Sequence, residues 1–236
     1  MTKSTKRIIL AIGAHCGDVE VTCAAVLAKE VKKGSRVVIF HLTLGEGGNP
    51  KMAPEKYGKQ KQREAIAAAK VLGAEALFGP YNDGELPNDE PTKRSIADVI
   101  RTVKPTHIIT HWRNSIHKDH ANTHTIVMDA VLLASLEGVI SDHPRHCGVK
   151  GIYFTENWED PEGFTPFFYV DVTNELGLWK KCVTQYRFIK GGISSFPYLE
   201  YYQALARVRG AEAGVKYAVA FNVDPFEKKR VVDVLP

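Results

Sequence analysis

The stretch of sequence that decides the fold is RIILAIGAHCGDVEVTCAAVLAKEVKKGSRVVIFHLTL, residues 7–44. It opens with an apolar run over 7–12 that predicts a buried strand. After a short polar loop, apolar residues recur at helical spacing over 19–31, and Lys-Lys-Gly then forms a typical helix C-terminus. A second apolar run over 36–44 predicts another buried strand. The stretch therefore predicts a strand–helix–strand unit whose two strands run parallel.

The same alternation of strands and helices continues along the chain. Further helices are predicted over 59–72, 92–103, 119–136, 175–188 and 198–213, and further strands over 76–78, 107–110, 151–154 and 167–172. Strands that alternate with helices of about 10–15 residues favour a parallel sheet with helices on both faces. We predict one α/β domain spanning 1–236, a Rossmann-like three-layer sandwich with a mostly parallel sheet and helices on both faces.

The composition excludes several classes of protein. With 236 residues, 44% hydrophobic and 25% charged, the chain has an ordinary globular composition. No signal peptide and no apolar stretch of about 20 residues is found, so we expect a cytoplasmic protein with no membrane partner. The net charge of +4 comes from scattered basic residues, which argues against nucleic acid as a partner. The four cysteines form no CxxC pair and are expected to be reduced thiols.

Side chains that can bind a metal follow two of the predicted strands. His15 and Asp18 lie three positions apart where a loop enters a helix, so both can face one point. The segment after the strand ending at Thr110 offers further candidates: His117, Asp119, His120 and, one turn later, His124. Ligands of such folds bind beyond the carboxyl ends of the strands, and zinc takes nitrogen and carboxylate oxygen ligands. These residues therefore predict a metal site, with its third ligand left open among the second group.

Ordinary structural roles compete with this interpretation. Asp18 alone is well placed to be a helix N-cap, and a single histidine in a loop is usually only hydrogen-bonded. A dinucleotide-binding GxGxxG loop is the rival explanation for the first strand–helix turn. Gly13 and Gly17 do not fit its spacing, and charged side chains crowd the place where a pyrophosphate would approach. Two His/Asp clusters at the ends of two predicted parallel strands favour the metal site.

Several motifs, in the same order along the chain, resemble those of the PIG-L (LmbE-like) family of zinc-dependent deacetylases. The family's A-H-P-D-D-x-E motif corresponds to AHCGDVE at 14–20, and its T-x-G-E-x-G loop corresponds to TLGEGG at 43–48. The remaining matches are REAIAAAKVLG at 63–73, DGEL at 83–86, HKDH at 117–120 and RGAEAGVKYAVAF at 209–221. The resemblance covers nearly the whole chain.

The resemblance implies an enzyme that removes acetyl groups from amino sugars of the N-acetylglucosamine type, with zinc activating the attacking water. The zinc ligands that it implies are His15, Asp18 and His120. Iron or another divalent metal would also suit such a nitrogen–oxygen site. The implied partner is a small-molecule amino sugar, and the formation of a homo-oligomer is left open.

The resemblance also implies roles for residues around the metal. His117 matches a histidine that acts on the amide as electrophile or general acid. Asp119 matches a carboxylate that orients a motif histidine. The implied substrate-binding residues are Glu46, Arg63 and Asp83.

One departure from the family pattern affects the chemistry directly. The general base of the family is the first Asp of the D-D pair, and Gly17 occupies that position. Another group can replace this base: Glu20, His117, Asp119, or an acidic residue of the TENWEDPEG loop at 155–163 such as Glu156. Alternatively, the substrate or the hydroxide removes the need for a base, or the protein is a non-catalytic relative that binds a sugar or a metal. Because the ligand set is retained, the leading hypothesis is a metal-dependent hydrolase of an N-acyl amine.

Overall fold

A seven-stranded sheet forms the centre of the computed structural model, which describes residues 7–191 and 193–225. Its strands are β1 (Ile8–Gly13), β2 (Arg36–Thr43), β3 (Glu75–Tyr81), β4 (His107–His111), β5 (Gly151–Thr155), β6 (Phe168–Asp171) and β7 (Ala218–Val223). They are ordered β3-β2-β1-β4-β5-β7-β6 across the sheet. The strands β1 to β5 run parallel to one another, whereas β7 is antiparallel to both β5 and β6.

Helices cover both faces of this sheet. They are α1 (Asp18–Lys32), α2 (Pro54–Leu72), α3 (Glu90–Val103), α4 (Lys118–Ser135), α5 (Leu176–Val183) and α6 (Tyr198–Glu212), with 3-10 helices over Glu46–Gly48 and Phe188–Lys190. Because side chains alternate along a strand, Ile9 of β1 packs into the core with α1, α2, α5 and α6, whereas Leu10 packs into the core with α3 and α4. The predicted three-layer α/β sandwich is confirmed. No helix in the described part of the chain is long and apolar enough to cross a membrane.

Two regions differ from the sequence prediction. The strand β7 was not predicted, and it lies between β5 and β6 in the sheet. The helix predicted over 175–188 ends at Val183. Tyr186 beyond it is fully buried, and its hydroxyl donates a 2.8 Å hydrogen bond to Glu20. Because of this long-range contact, the chain forms turns after Val183, although the local sequence favours a helix that continues to residue 188.

The order of the strands determines where a ligand can bind. β1 lies between β2 and β4, and the connections on its two sides run to opposite faces of the sheet. The loops after β1 and β4 therefore separate and open a crevice at the carboxyl ends of these strands, which is the usual ligand site of such sheets. The loops after β2, β3 and β5 leave the same edge of the sheet.

Candidate metal centre and substrate crevice

A crevice of about 720 Å³, partly open to solvent, lies at this edge. The loop after β1 contributes His15 and Asp18 to its wall. The other residues of the wall come from α2, from the loops after β2, β3, β4 and β5, and from the segment between the 3-10 helix at Phe188–Lys190 and the start of α6. They include Tyr57, Lys61, Asp83, His117, Trp158, Glu159, Phe188 and Tyr198. Polar, charged and aromatic side chains thus meet in one concave site.

Three potential ligand atoms converge at the base of the crevice. Nδ1 of His15 lies 3.2 Å from Oδ2 of Asp18 and 3.3 Å from Nε2 of His120, and the latter two atoms are 3.4 Å apart. Atoms bound tetrahedrally to one zinc ion at about 2.0–2.1 Å are separated from one another by about 3.3–3.4 Å. The spacing of the three atoms therefore suits a single metal ion.

Carboxylates hold the outer nitrogen of each histidine. Nε2 of His15 lies 3.0 Å from Asp83 and 3.3 Å from Asp119, while Nδ1 of His120 lies 3.1 Å from Asp160. A carboxylate can only accept at such contacts, so the outer nitrogens carry the protons and the inner nitrogens present lone pairs. Together with Asp18, the inner atoms would repel one another unless a cation or protons lay between them. This donor set fits a divalent metal ion.

The electrostatics of the centre favour positive charge. Burial opposes protonation of His120, but Asp18 and Asp160 raise its pKa to about 9. Burial likewise opposes protonation of His15, but the charge of Asp18 and hydrogen bonds to carboxylates raise its pKa well above the usual value. Burial would raise the pKa of Asp18, and the two histidines instead hold it well below its usual value. A divalent cation can supply the charge that these protons otherwise provide.

Two further sets of ligand atoms that include His120 also lie within 4.8 Å of one another: one adds His15 and His117, and the other adds Asp18 and His111. Both ring nitrogens of His111 have other partners, however. Its Nε2 accepts a 3.1 Å hydrogen bond from the backbone N–H of Ala14, and its Nδ1 lies 3.2 Å from Asp160. The geometry favours His15 over His111 as the third member of the set, with His111 supporting the loop after β1.

His117 is the N-cap of α4 and lines the crevice. Its Nδ1 accepts a 3.2 Å hydrogen bond from the backbone N–H of Asp119, so neutral His117 carries its proton on Nε2. Burial and the charges of the neighbouring histidines lower its pKa. His124 lies apart from this group, with Nδ1 3.0 Å from the carbonyl oxygen of His111.

Asp119 is fully buried and connects three parts of the site. Its carboxylate accepts hydrogen bonds from the backbone N–H groups of Gly84 at 2.7 Å and Leu86 at 3.3 Å, besides contacting His15. The histidine that Asp119 contacts is therefore His15, which belongs to the motif at 14–20 and not to the motif at 117–120 that contains Asp119. With every oxygen engaged, Asp119 is placed to orient His15 and to hold the loop after β3.

Glu46 and Asp83, both predicted to bind substrate, contact each other. The carboxylate of Glu46 accepts a 2.8 Å hydrogen bond from the backbone N–H of Asp83, and the carboxylate of Asp83 accepts a 3.0 Å bond from Gly47. These bonds join the loops after β2 and β3 across the mouth of the crevice. Asp83 lies in the crevice wall itself.

The structure places Arg63 elsewhere than the motif suggests. Arg63 is exposed on α2, whereas Lys61 of the same helix is buried and lines the crevice. Two residues along a helix turn by about 200°, so the side chains of Arg63 and Lys61 point in nearly opposite directions. Lys61 is therefore the basic residue of α2 that lines the crevice, and the contact between Arg63 and substrate stays a prediction.

Sequence reasoning missed Asp160, which bridges two histidines. This fully buried residue places its two oxygens 3.2 Å from Nδ1 of His111 and 3.1 Å from Nδ1 of His120. Burial would raise its pKa, but the two histidines lower it to about 2. The sequence feature that could have identified Asp160 is its position in an acidic loop directly after a predicted strand.

Glu159, next to it in the chain, lies in the acidic loop that was expected to offer a replacement base, although Glu156 was the residue named there. Its Oε2 lies 3.5 Å from Nε2 of His120, and its side chain is 21% exposed in the crevice. Burial raises the pKa of this carboxyl, an effect that the nearby histidines oppose. Glu159 is therefore a carboxylate beside the three potential ligands that is not committed to orienting a histidine.

Two of the carboxylates expected as replacement bases are committed elsewhere. Glu20 is fully buried and accepts the hydrogen bond from Tyr186. Glu156 forms an ion pair with Arg209, whose Nε donates to it at 2.9 Å, in the wall of a separate cavity. Neither side chain is placed to accept a proton at the metal centre.

Gly17 stands at the position for which the resemblance implied a catalytic aspartate, and the backbone and the side chains around it leave little room for one. Its φ of +111° is a backbone conformation that residues with a side chain rarely adopt. A Cβ added at this position would lie 2.8 Å from Cζ of Phe188. The ring of Phe188 thus fills the space that a side chain at position 17 would need.

We expect the substitution Gly17→Asp to destabilise the protein instead of restoring a general base. Backbone strain and the contact with Phe188 should together cost about 2–3 kcal/mol, which lowers Tm by about 4–10 °C in a domain of this size. Differential scanning calorimetry measures this change. Gly17→Ala is the matched control because it brings the same strain and Cβ contact without the carboxylate. An unchanged Tm with increased deacetylation would contradict the packing described above.

The chain is similar in sequence to one protein family and to several characterised enzymes. The family model described as "PIG-L: GlcNAc-PI de-N-acetylase" matches residues 10–131. A 4-oxalmesaconate hydratase from Pseudomonas putida KT2440 is 25% identical over 213 residues, which cover 86% of this chain and 80% of the hydratase. A 1D-myo-inositol 2-acetamido-2-deoxy-alpha-D-glucopyranoside deacetylase from Geodermatophilus obscurus is 31% identical over 156 residues, 53% of each chain, so the match spans about half of that enzyme.

Among solved structures, the conserved protein TT1542 from Thermus thermophilus superimposes with a TM-score of 0.81. It is 26% identical, and the match covers 94% of this chain and 96% of that protein. The similarity therefore includes the antiparallel end of the sheet as well as the parallel part.

Proposed function

Because the chain belongs to the PIG-L family, as its motifs predicted, we propose that it is a metal-dependent hydrolase that removes the acyl group from an N-acylated amine. The observation that carries the proposal is the convergence of His15, Asp18 and His120, whose ligand atoms all lie within 3.4 Å of one another. An N-acetylated amino sugar is the first substrate class to test, since the family description and the deacetylase relative both name such compounds.

Zinc is the proposed metal, held by these three side chains, and iron(II) suits the same nitrogen and oxygen donors. When bound, the ion would polarise the carbonyl group of the amide and lower the pKa of the attacking water. Asp119 and Asp160 orient the two histidines toward this position through their outer nitrogens.

Glu159 is the proposed proton acceptor. Hydrolysis of an amide requires a group that takes a proton from the attacking water, and Gly17 cannot do so. Glu159 lines the crevice next to His120, and its carboxylate forms no hydrogen bond with any other residue that the structure describes. Its oxygens are thus available to a water molecule in the crevice.

His117 is the proposed proton donor for the departing amine. Its Nδ1 is occupied by the backbone N–H of Asp119, which leaves Nε2 to carry the transferable proton. Its ring centroid lies 4.6 Å from that of His15 and 5.0 Å from that of His120, so the imidazole borders the centre. The proposed proton donor, His117, and the proposed proton acceptor, Glu159, thus lie in different loops that border the same site.

A hydratase is the second candidate function. Two observations favour it: the space at Gly17 is filled by Phe188, and the hydratase relative matches along 80% of its own length. Addition of water to a carbon–carbon double bond also requires an activated water and a proton donor, which the same residues can serve. The two candidates differ in whether an amine is released.

The experiment that tests the proposal follows amine release from N-acetylglucosamine and a panel of N-acyl amines by the zinc-loaded protein. Release should stop on chelation, return when zinc or iron(II) is added, and be absent from the His120→Ala variant. Loss of the ultraviolet absorption of an unsaturated carboxylic acid without amine release would support the hydratase. Metal binding with neither reaction would support a non-catalytic, sugar-binding relative.

A further inference from the structure

Lys61 is a largely buried basic residue in the crevice wall. Only 7% of this α2 residue is exposed. Its Nζ lies 4.3 Å from the ring centroid of Phe188, 5.7 Å from that of Tyr186 and 6.0 Å from that of Tyr57. Within the described ranges, no hydrogen bond or ion pair to this ammonium group is found. The rings cover most of the side chain, while the ammonium group still meets solvent in the crevice, since it is not among the buried polar atoms that lack a hydrogen-bond partner.

The ammonium group lies beside the candidate metal centre. A Cβ added at Gly45 would lie 3.3 Å from Nζ of Lys61 and 3.2 Å from Cβ of His15, so Lys61 and His15 flank the same point. Gly45 has a φ of +70° and no side chain to fill that point. The space between the lysine and the histidine therefore belongs to the crevice.

Three carboxylates around the crevice are held by other groups, and neither Glu46 nor Glu159 forms an ion pair with Lys61 in the described part of the chain. Asp83 and Asp119 accept hydrogen bonds from backbone N–H groups and contact His15, and Asp160 bridges two histidines. The rings around Lys61 contribute cation–π attraction but cannot accept its hydrogen bonds as a carboxylate does. Lys61 consequently has the charge, the position and the free donors to bind an anion that enters the crevice.

We propose that Lys61 binds an anionic group of the substrate, a carboxylate or a phosphate, while the reacting group lies at the metal centre. The inference rests on the proposed function, since it takes the crevice to be the substrate site. It holds for either reaction, and it narrows the substrate class to acids: an N-acyl amine that bears an acidic group, or an unsaturated carboxylic acid.

The test compares the binding of matched charged and neutral probes by isothermal titration calorimetry on the zinc-loaded protein. N-acetylglycine is paired with N-acetylglycinamide, and N-acetylglucosamine 6-phosphate is paired with N-acetylglucosamine. At least one anion should bind about tenfold or more tightly than its neutral partner, the value of one charge-assisted hydrogen bond, and the pair that responds distinguishes carboxylate from phosphate.

Variants of Lys61 separate this effect from direct binding to the metal. Lys61→Met keeps the long apolar stem among the rings and should abolish the preference for the anion, whereas Lys61→Arg should retain it. Lys59→Met, an exposed lysine of the same helix, is the matched control and should behave like the native protein. Lys61→Gln replaces the methionine variant if that variant does not fold.

Equal affinities within both pairs, no binding of either anion at millimolar concentration, or a preference that survives Lys61→Met would overturn the proposal. The result is independent of turnover. Lys61-dependent binding without amine release would reject the hydrolase and keep the anion site, whereas turnover of neutral probes without preference for an acid would reject the anion site alone.

Discussion

Replacing His120 by alanine is expected to remove stoichiometric metal from the purified protein and to abolish turnover. His120 is fully buried and supplies one of the three converging ligand atoms, so its loss leaves only His15 and Asp18 in the set. Elemental analysis after dialysis should show about one metal ion per native chain and almost none per variant chain. His143→Ala, at an exposed histidine outside the crevice wall, is the matched control and should keep its metal.

Full retention of metal by the His120→Ala variant would contradict the assignment of His120 as a ligand. His15, Asp18, His111 and His117 would then be the neighbours still able to hold the ion, because they belong to the sets of ligand atoms that include His120. Metal analysis of the double variant His111→Ala/His120→Ala would decide whether His111 had taken over.

The second large effect is expected for Glu159→Gln. Glutamine keeps the shape of the side chain but cannot accept a proton, so kcat should fall by about 10²–10⁴-fold on the substrate that the native protein turns over. Metal content should stay close to that of the native protein, since Glu159 is proposed to act on water and not to hold the ion. Steady-state kinetics and elemental analysis of the same preparation measure both quantities.

Glu162→Gln provides the control for this experiment, because Glu162 is exposed in the same loop. Its kinetics should match those of the native protein. An unchanged kcat in Glu159→Gln would move the proton-accepting role away from Glu159. Loss of metal together with activity would make Glu159 a ligand of the ion.

The parts of the fold that the sequence predicts well are those set by local pattern. The alternation of apolar runs and helical spacing over 7–44 predicts a buried strand, a helix and a second buried strand, and the structure has all three. The positions of His15 and Asp18 follow from the same pattern, because they come directly after the first strand. His120 follows the strand β4, which pairs with β1 in the sheet.

Other parts of the site depend on contacts between distant segments. Asp160 meets His120 only because β5 pairs with β4, and 40 positions separate the two residues. No local pattern distinguishes Asp160 and Glu159 from the nearby Glu156, which turns to Arg209 instead. Similarly, the rotation of α2 about its own axis decides that Lys61 and not Arg63 faces the crevice. A match to a sequence motif identifies the residues of the helix but not the direction in which each side chain points.

The antiparallel end of the sheet has a consequence for the order of assembly during synthesis. β6 pairs with β7 and with no other strand in the part of the chain that the structure describes, so residues 168–171 cannot join the sheet before 218–223 have been made. The loop that carries Asp160 runs between β5 and β6 and is secured at its far end only at that stage. The nascent chain can therefore form its parallel strands before the far end of the loop that carries Asp160 is attached to the sheet.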